Sequence, residues 1–398
     1  MKLFFSNPLV YDYLFGILIL VMPFGNALSN ISIIILVLLF GLRFQKSMII
    51  TWFKSPLFII AVLVFYLVLQ AFINKSFSDD LNYYSRYGYL ILVPILVFGI
   101  NNTQIVKIAA ICSVNLIIII SLVNIFIFYD KFGFFPFADS WATNAVLVLE
   151  RPYTGIYCLI SIVLSLEQLL HNKKFKAFFV ASLLISVLFI FFISIRISII
   201  SFVLISIIYS FFYFKRNIKH KVFMIISLVA LLTTFLFLNP NITKRFFLES
   251  NIEKSLEKFK ESEPRIIIWN CAKQVINQND FSFFLGTNSY SNIKNTMVQC
   301  YKDSIQDYSR KNWFLSRKYN THNQYLDFYL IGGAFALALL FYFLFNYFIV
   351  NKKNFSPVAV IICFTVMMFV ENIFHRQFGC LIFTIFVTLP LNQKKQNA

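Results

Sequence analysis

The chain has 398 residues, enough for two or three soluble domains, yet 59% are apolar, 19% aromatic and only 13% charged, against a usual quarter charged in globular proteins. With a mean hydropathy of +0.75, that balance excludes a soluble enzyme. The apolar residues fall in runs of about 17 to 28, the length that crosses a hydrocarbon core of about 30 Å. A net charge of +18, from 35 Lys and Arg against 17 Asp and Glu, sits on a chain with little polar surface, so its distribution is informative.

Lipid offers no partner to backbone N–H and C=O groups, so runs this long predict helices rather than short alternating barrel strands. The chain reads as an all-α polytopic membrane protein with about twelve spans. They run over 9–24, 27–42, 56–73, 87–101, 104–129, 152–170, 176–194, 196–214, 221–239, 323–350, 356–373 and 377–391. A large, polar and partly helical loop separates the ninth from the tenth, giving three parts: 1–239, 240–322 and 323–398. The first run carries one Lys and no small-residue cleavage site, and is read as a retained helix.

Basic residues gather in every second loop: Lys2; Arg43, Lys46 and Lys54; Lys107; Lys173, Lys174 and Lys176; Lys215, Arg216, Lys219 and Lys221; Lys352 and Lys353; Lys394 and Lys395. No acidic residue lies between helices there, whereas Asp79, Asp80, Asp130, Asp139 and Glu150 fall in the opposite loops. The positive-inside rule then puts both termini in the cytoplasm and the 240–322 loop outside. That loop holds 13 basic and 8 acidic residues.

On the outer side, Phe132, Phe134, Phe135, Phe137 and Trp141 suit a membrane interface. Arg151, between Glu150 and Pro152, reads as an outward-facing interfacial cation. Arg196 stands among some forty otherwise uncharged residues. It is either a functional charge facing a cavity or a snorkelling residue at the tip of a hairpin. Within the large loop, Ile252, Leu256 and Phe259 mark an amphipathic surface helix. A second helix follows, capped by Ser262 and started by Pro264, so Arg265 lies in its first turn. A guanidinium beside free backbone N–H groups suits a pyrophosphate; the alternative is an Arg that pairs with Glu261 or Glu263.

Cys271 and Cys300, in the same loop, are either a disulfide or two free thiols. Cys112, Cys158, Cys363 and Cys380 read as packing residues, and no spacing suggests a metal site. Of four histidines, His171 and His220 fall in basic loops, whereas His322 and His375 are outside. Asn320 and Thr321 can cap the tenth span, which would put His322 in its first turn. There the helix dipole disfavours an imidazolium and favours a neutral ring able to take a proton from a sugar hydroxyl. The bland alternative is an interfacial polar residue.

Together these pieces resemble the O-antigen ligase and O-antigen polymerase superfamily of bacterial inner membranes. The likeness is carried by His322-Asn323-Gln324-Tyr325-Leu326 with Leu330-Ile331-Gly332-Gly333, by Arg265-Ile266-Ile267-Ile268-Trp269, by Ser194-Ile195-Arg196 and by the stretch from Glu371 to Gly379. Two segments depart from the family pattern: Gly286-Thr287-Asn288 stands where a Gly-x-Gly is usual, and the stretch after Arg151-Pro152-Tyr153-Thr154-Gly155 lacks the usual Pro.

The resemblance implies a glycosyltransferase of the inner membrane, working without metal, nucleotide or other cofactor. Its donor would be an undecaprenyl-pyrophosphate-linked glycan and its acceptor either lipid A-core, for a ligase, or another glycan on its carrier, for a polymerase. Arg196 and Arg265 would bind the pyrophosphate and His322 would activate the acceptor hydroxyl. Arg151, Trp269, Asn323 and Tyr325 would add substrate contacts. A transporter for the lipid-linked glycan is the rival, disfavoured because the halves do not repeat and the polar groups gather at one face. The basic surplus serves topology and anionic lipid and needs no nucleic acid.

Overall fold

The computed structural model describes residues 8–213 apart from 139 and 173, residue 226, and residues 263–396 apart from 288. The ninth span, the amphipathic helix of Ile252, Leu256 and Phe259, the Ser262 cap, Asn288, Lys2, Lys173 and the basic cluster of Lys215, Arg216, Lys219 and Lys221 lie outside the described residues. In chain order the helices are α1 (Pro8–Val21), α2 (Asn26–Leu42), α3 (Lys46–Lys54), α4 (Leu57–Ile73), α5 (Phe77–Val97), α6 (Thr103–Phe132), α7 (Ser140–Val146), α8 (Arg151–His171), α9 (Lys176–Phe192) and α10 (Arg196–Tyr213). After these come α11 (Pro264–Ile276), α12 (Tyr290–Ser304), α13 (Tyr308–Arg317), α14 (Gln324–Asn351), α15 (Phe355–Met368) and α16 (Gln377–Gln396). No strand is formed among the described residues beyond a single bridge between Ser282 and Gly286.

Among the described residues α6, α8, α10 and α14 are long and apolar enough to cross a membrane alone, and α2 with α3, bent by 116°, would make a fifth. Shorter apolar helices pack around them. The surface of the bundle is itself apolar, with Leu38, Phe65 and Phe345 about two-thirds exposed, as expected of a face turned to hydrocarbon rather than water.

The structure corrects several expectations. The helix expected at 87–101 begins at Phe77, so Asp79 and Asp80 lie inside α5 rather than in a loop. Lys107 is no loop charge either: it is buried within α6 and pairs with Glu167 of α8 at 2.6 Å. Phe137 is buried against Phe135 and Phe192 instead of lying in an interface.

Two features tie the 263–322 segment to the bundle. Asp80 of α5 accepts from the backbone N–H groups of Tyr290 and Ser291 at 2.9 and 2.8 Å, so a carboxylate from one helix caps the start of another. The turn at Phe283–Leu285 fills a break in α14. Gly333 has φ 63° and ψ −160°, and the N–H freed at Ala334 donates to the Phe283 carbonyl at 2.9 Å. A Cβ on Gly333 would meet the Phe284 backbone at 2.3 Å, and one on Gly286 would meet the Leu330 carbonyl at 2.6 Å. Only glycine allows so close an approach at positive φ.

Candidate active site

The site grows from the start of α11. Pro264 occupies its first position, where the missing N–H costs nothing, and Glu263 stands just outside in extended conformation. Arg265 is therefore in the first turn. Its Nη1 donates to Glu263 Oε1 at 2.7 Å and its Nη2 to the Val370 carbonyl at 3.1 Å. The other Glu263 oxygen accepts from Arg196 Nη2 at 2.9 Å. Arg196 begins α10 after a tight turn in which Ser194 takes φ 53°.

One carboxylate, 8% exposed, thus holds two guanidiniums that are 27% and 31% exposed. Burial works to raise the Glu263 carboxyl, but Arg265 and Arg196 outweigh it and hold it below its ordinary value. Of the two sequence readings of Arg265, the structure shows the pairing with Glu263, and a second Arg shares that carboxylate. The Arg265 Nε is buried with no partner within the described protein.

His322 is not in the first turn of α14, which begins at Gln324 with Asn323 as its cap, the Asn323 side chain accepting from the Leu326 N–H at 2.9 Å. It precedes the helix in the left-handed region at φ 44°, held there as its N–H donates to Asn320 Oδ1 at 3.1 Å. The dipole argument therefore gives way to a side-chain partner: His322 Nδ1 lies 3.3 Å from Glu371 Oε2. A carboxylate at that distance favours the proton on Nδ1, which leaves Nε2 as the acceptor nitrogen. Burial works to raise the Glu371 carboxyl, and His322, Arg265 and Arg376 together bring it below its ordinary value. Trp269, one turn along α11 from Arg265, donates to the Thr321 carbonyl at 3.0 Å and so braces the same stretch.

Arg265 and His322 consequently meet on adjacent residues, Val370 and Glu371, of the segment joining α15 to α16. That segment also supports a buried cluster that sequence reasoning missed. His375 Nε2 is 2.8 Å from Asp327 Oδ2, which also accepts from Tyr83 Oη at 2.9 Å. Asn320 Nδ2, at 3.2 Å, faces His375 Nδ1. Asn372 Oδ1 takes the Asn323 N–H at 2.5 Å, while its Nδ2 donates to Thr321 Oγ1 at 2.9 Å. His375 and Asp327 were visible only as one outer histidine and one carboxylate at the head of an apolar span, and their separation of 48 residues carries no local pattern.

The remaining candidates divide. Arg151 does not face outward: it is 6% exposed, donating to the Phe137 carbonyl at 2.9 Å and to Thr143, so its charge organises the 136–146 stretch. Tyr325 points along the bundle, its hydroxyl on the Thr365 carbonyl at 2.9 Å and its ring stacked on Phe341. Cys271 and Cys300 are joined by a disulfide that ties α11 to α12.

The described residues thus bring two arginines onto one carboxylate and a histidine onto a second. Residues 180–341 match the family model described as O-antigen ligase. That match, which spans Arg196, Arg265 and His322, supports a likeness to the O-antigen ligase and polymerase superfamily, whose members are glycosyltransferase-like ligases and polymerases. No curated protein sequence matches the chain.

Proposed function

We propose that the protein transfers a glycan from an undecaprenyl-pyrophosphate carrier to an acceptor hydroxyl at the outer face of the bacterial inner membrane. The observation that carries this reading is the meeting of Arg265 and His322 on Val370 and Glu371, with Arg196 joined to Arg265 through Glu263. In the reaction the acceptor oxygen attacks the anomeric carbon while the bond from that carbon to the pyrophosphate oxygen breaks. The acceptor proton passes to His322 Nε2, whose ring is oriented by Glu371 as a base is oriented by its carboxylate. Negative charge builds on the departing pyrophosphate, and the two guanidiniums stabilise it more than they stabilise the bound donor. No step requires a metal or other cofactor.

The arrangement supports the three-part organisation, with 240–322 as the periplasmic part of the catalytic centre. With Lys107, Asp79 and Asp80 set aside, the remaining loop charges support twelve spans and cytoplasmic termini. Lipid A-core as acceptor makes the protein an O-antigen ligase; a carrier-linked glycan would make it a polymerase working by the same chemistry. Trp269 acts by holding the Thr321 carbonyl, and Asn323 by capping the start of α14.

The test is transfer by the purified protein from a lipid-pyrophosphate donor. Arg265→Lys keeps the charge but loses the planar fork, and His322→Ala removes the base. Each should lower kcat by about 10²–10³, and undiminished turnover in both would sink the assignment. A transporter would instead move donor across reconstituted vesicles without consuming it.

A further inference from the structure

A second concavity lies beside the segment that carries Glu371 and His375, and none of Arg196, Glu263, Arg265, His322 or Glu371 lines it. It is a cleft of about 470 Å³, within the range of about 300–1,000 Å³ typical of small-molecule sites. Its walls come from α2, α5, the 148–153 stretch and the start of α16.

The cleft is built rather than incidental. Tyr89 Oη from α5 and Gln377 Nε2 from α16 both donate to Asn30 Oδ1 of α2, each at 2.7 Å, so one amide oxygen fixes two of the lining side chains. Arg86 donates to the His375 carbonyl. At the rim Arg376 pairs with Glu150 at 2.7 Å.

Its chemistry differs from that of a lipid groove and from that of the arginine clamp. Ser85, Arg86, Tyr89, Glu150 and Gln377 supply hydroxyl, amide, carboxylate and guanidinium groups, and Tyr89, Tyr153 and Phe378 make the lining partly aromatic. Donors and acceptors interleaved with aromatic rings suit a molecule with hydroxyls on its edges and C–H groups on its faces. Of the cleft's two guanidiniums, that of Arg376 pairs with Glu150 and that of Arg86 donates to a backbone carbonyl, so the two do not converge on one carboxylate as Arg196 and Arg265 do. One lining residue touches the segment that carries Glu371: Tyr153 Oη donates to the carbonyl of Asn372, the residue after Glu371, at 3.5 Å.

We propose that this cleft holds the saccharide of the acceptor and delivers its hydroxyl to His322, an inference that rests on the glycosyl-transfer reading for its reaction but not for its binding site. In the full-length protein in lipid nanodiscs, Arg86→Gln and Gln377→Ala should each raise the acceptor KM about tenfold and leave the donor KM unchanged. Independently of turnover, Ser85→Cys should label with a maleimide above the wild-type background, and bound saccharide should slow that labelling. The two probes are lipid-free core oligosaccharide and lipid-free repeat-unit oligosaccharide. Protection by either supports the proposal, and which one protects separates ligase from polymerase. Failure of both to protect, or an effect confined to the donor KM, overturns it. If the wild type transfers nothing, the reaction reading fails while the labelling still reports on the cleft.

Discussion

Glu263 holds together two guanidiniums that would otherwise repel, and its replacement isolates that effect. Glu263→Gln keeps the shape but leaves Arg196 and Arg265 without a common anion, so we expect the donor KM to rise about tenfold or more, measured at fixed acceptor concentration. The same carboxylates set an acid limit. Glu263 and Glu371 both have lowered carboxyls, so their contribution to stability is complete above the ordinary carboxylate range near pH 4 and is lost as the pH falls through their lowered values. Thermal unfolding followed from pH 7 to pH 3 should therefore show a steeper acid decline for the wild type than for Glu371→Gln; parallel profiles would contradict this. At this scale Arg265 was legible because Pro264 announces a helix start. Glu371 and His375 were not, because a carboxylate and an imidazole gain their roles from partners 49 and 48 residues away.

The join between α14 and the Phe283–Leu285 turn shows an element shaped by contact rather than by propensity. Residues 323–350 read as one uninterrupted apolar run, and nothing in that run requires a break at Gly333 rather than Gly332. The break follows from the turn, whose carbonyls take the N–H groups the helix releases. Gly333→Ala would press a methyl onto the Phe284 carbonyl at 2.3 Å in a backbone at φ 63°, and should cost about 2–4 kcal/mol. Gly41, with nothing within 4 Å of its added Cβ, is the control: Gly41→Ala should be neutral or stabilising by up to about 1 kcal/mol. Thermal unfolding in detergent distinguishes the two. Reduction of the Cys271–Cys300 bond, which spans 29 residues, should remove roughly 3–4 kcal/mol. Because that bond joins α11 to α12, activity should fall together with the unfolding temperature.

For the molecule as a whole, the proposed orientation rests on the distribution of the charge surplus. If the basic loops are cytoplasmic, Lys353→Cys should resist a membrane-impermeant maleimide in intact cells, and exposed Ser316→Cys on α13 should label; the reverse pattern would invert the topology. Hydropathy, helix starts and loop charge are properties of neighbouring residues. They were enough to establish a helical membrane protein, the first-turn position of Arg265 and the choice of Arg196 and His322 as candidates. Lys107 marks the limit, since a Lys near a span's end reads as a loop charge until Glu167 is found 2.6 Å away. Arg151 marks it again, an apparent surface cation that turns inward to the Phe137 carbonyl. Which charges are buried, which carboxylate orients the histidine and where the acceptor cleft opens depend on helices far apart in the chain. Burial and pairing are set by distance in space, and only the packed tertiary structure brings those distances down to a hydrogen bond.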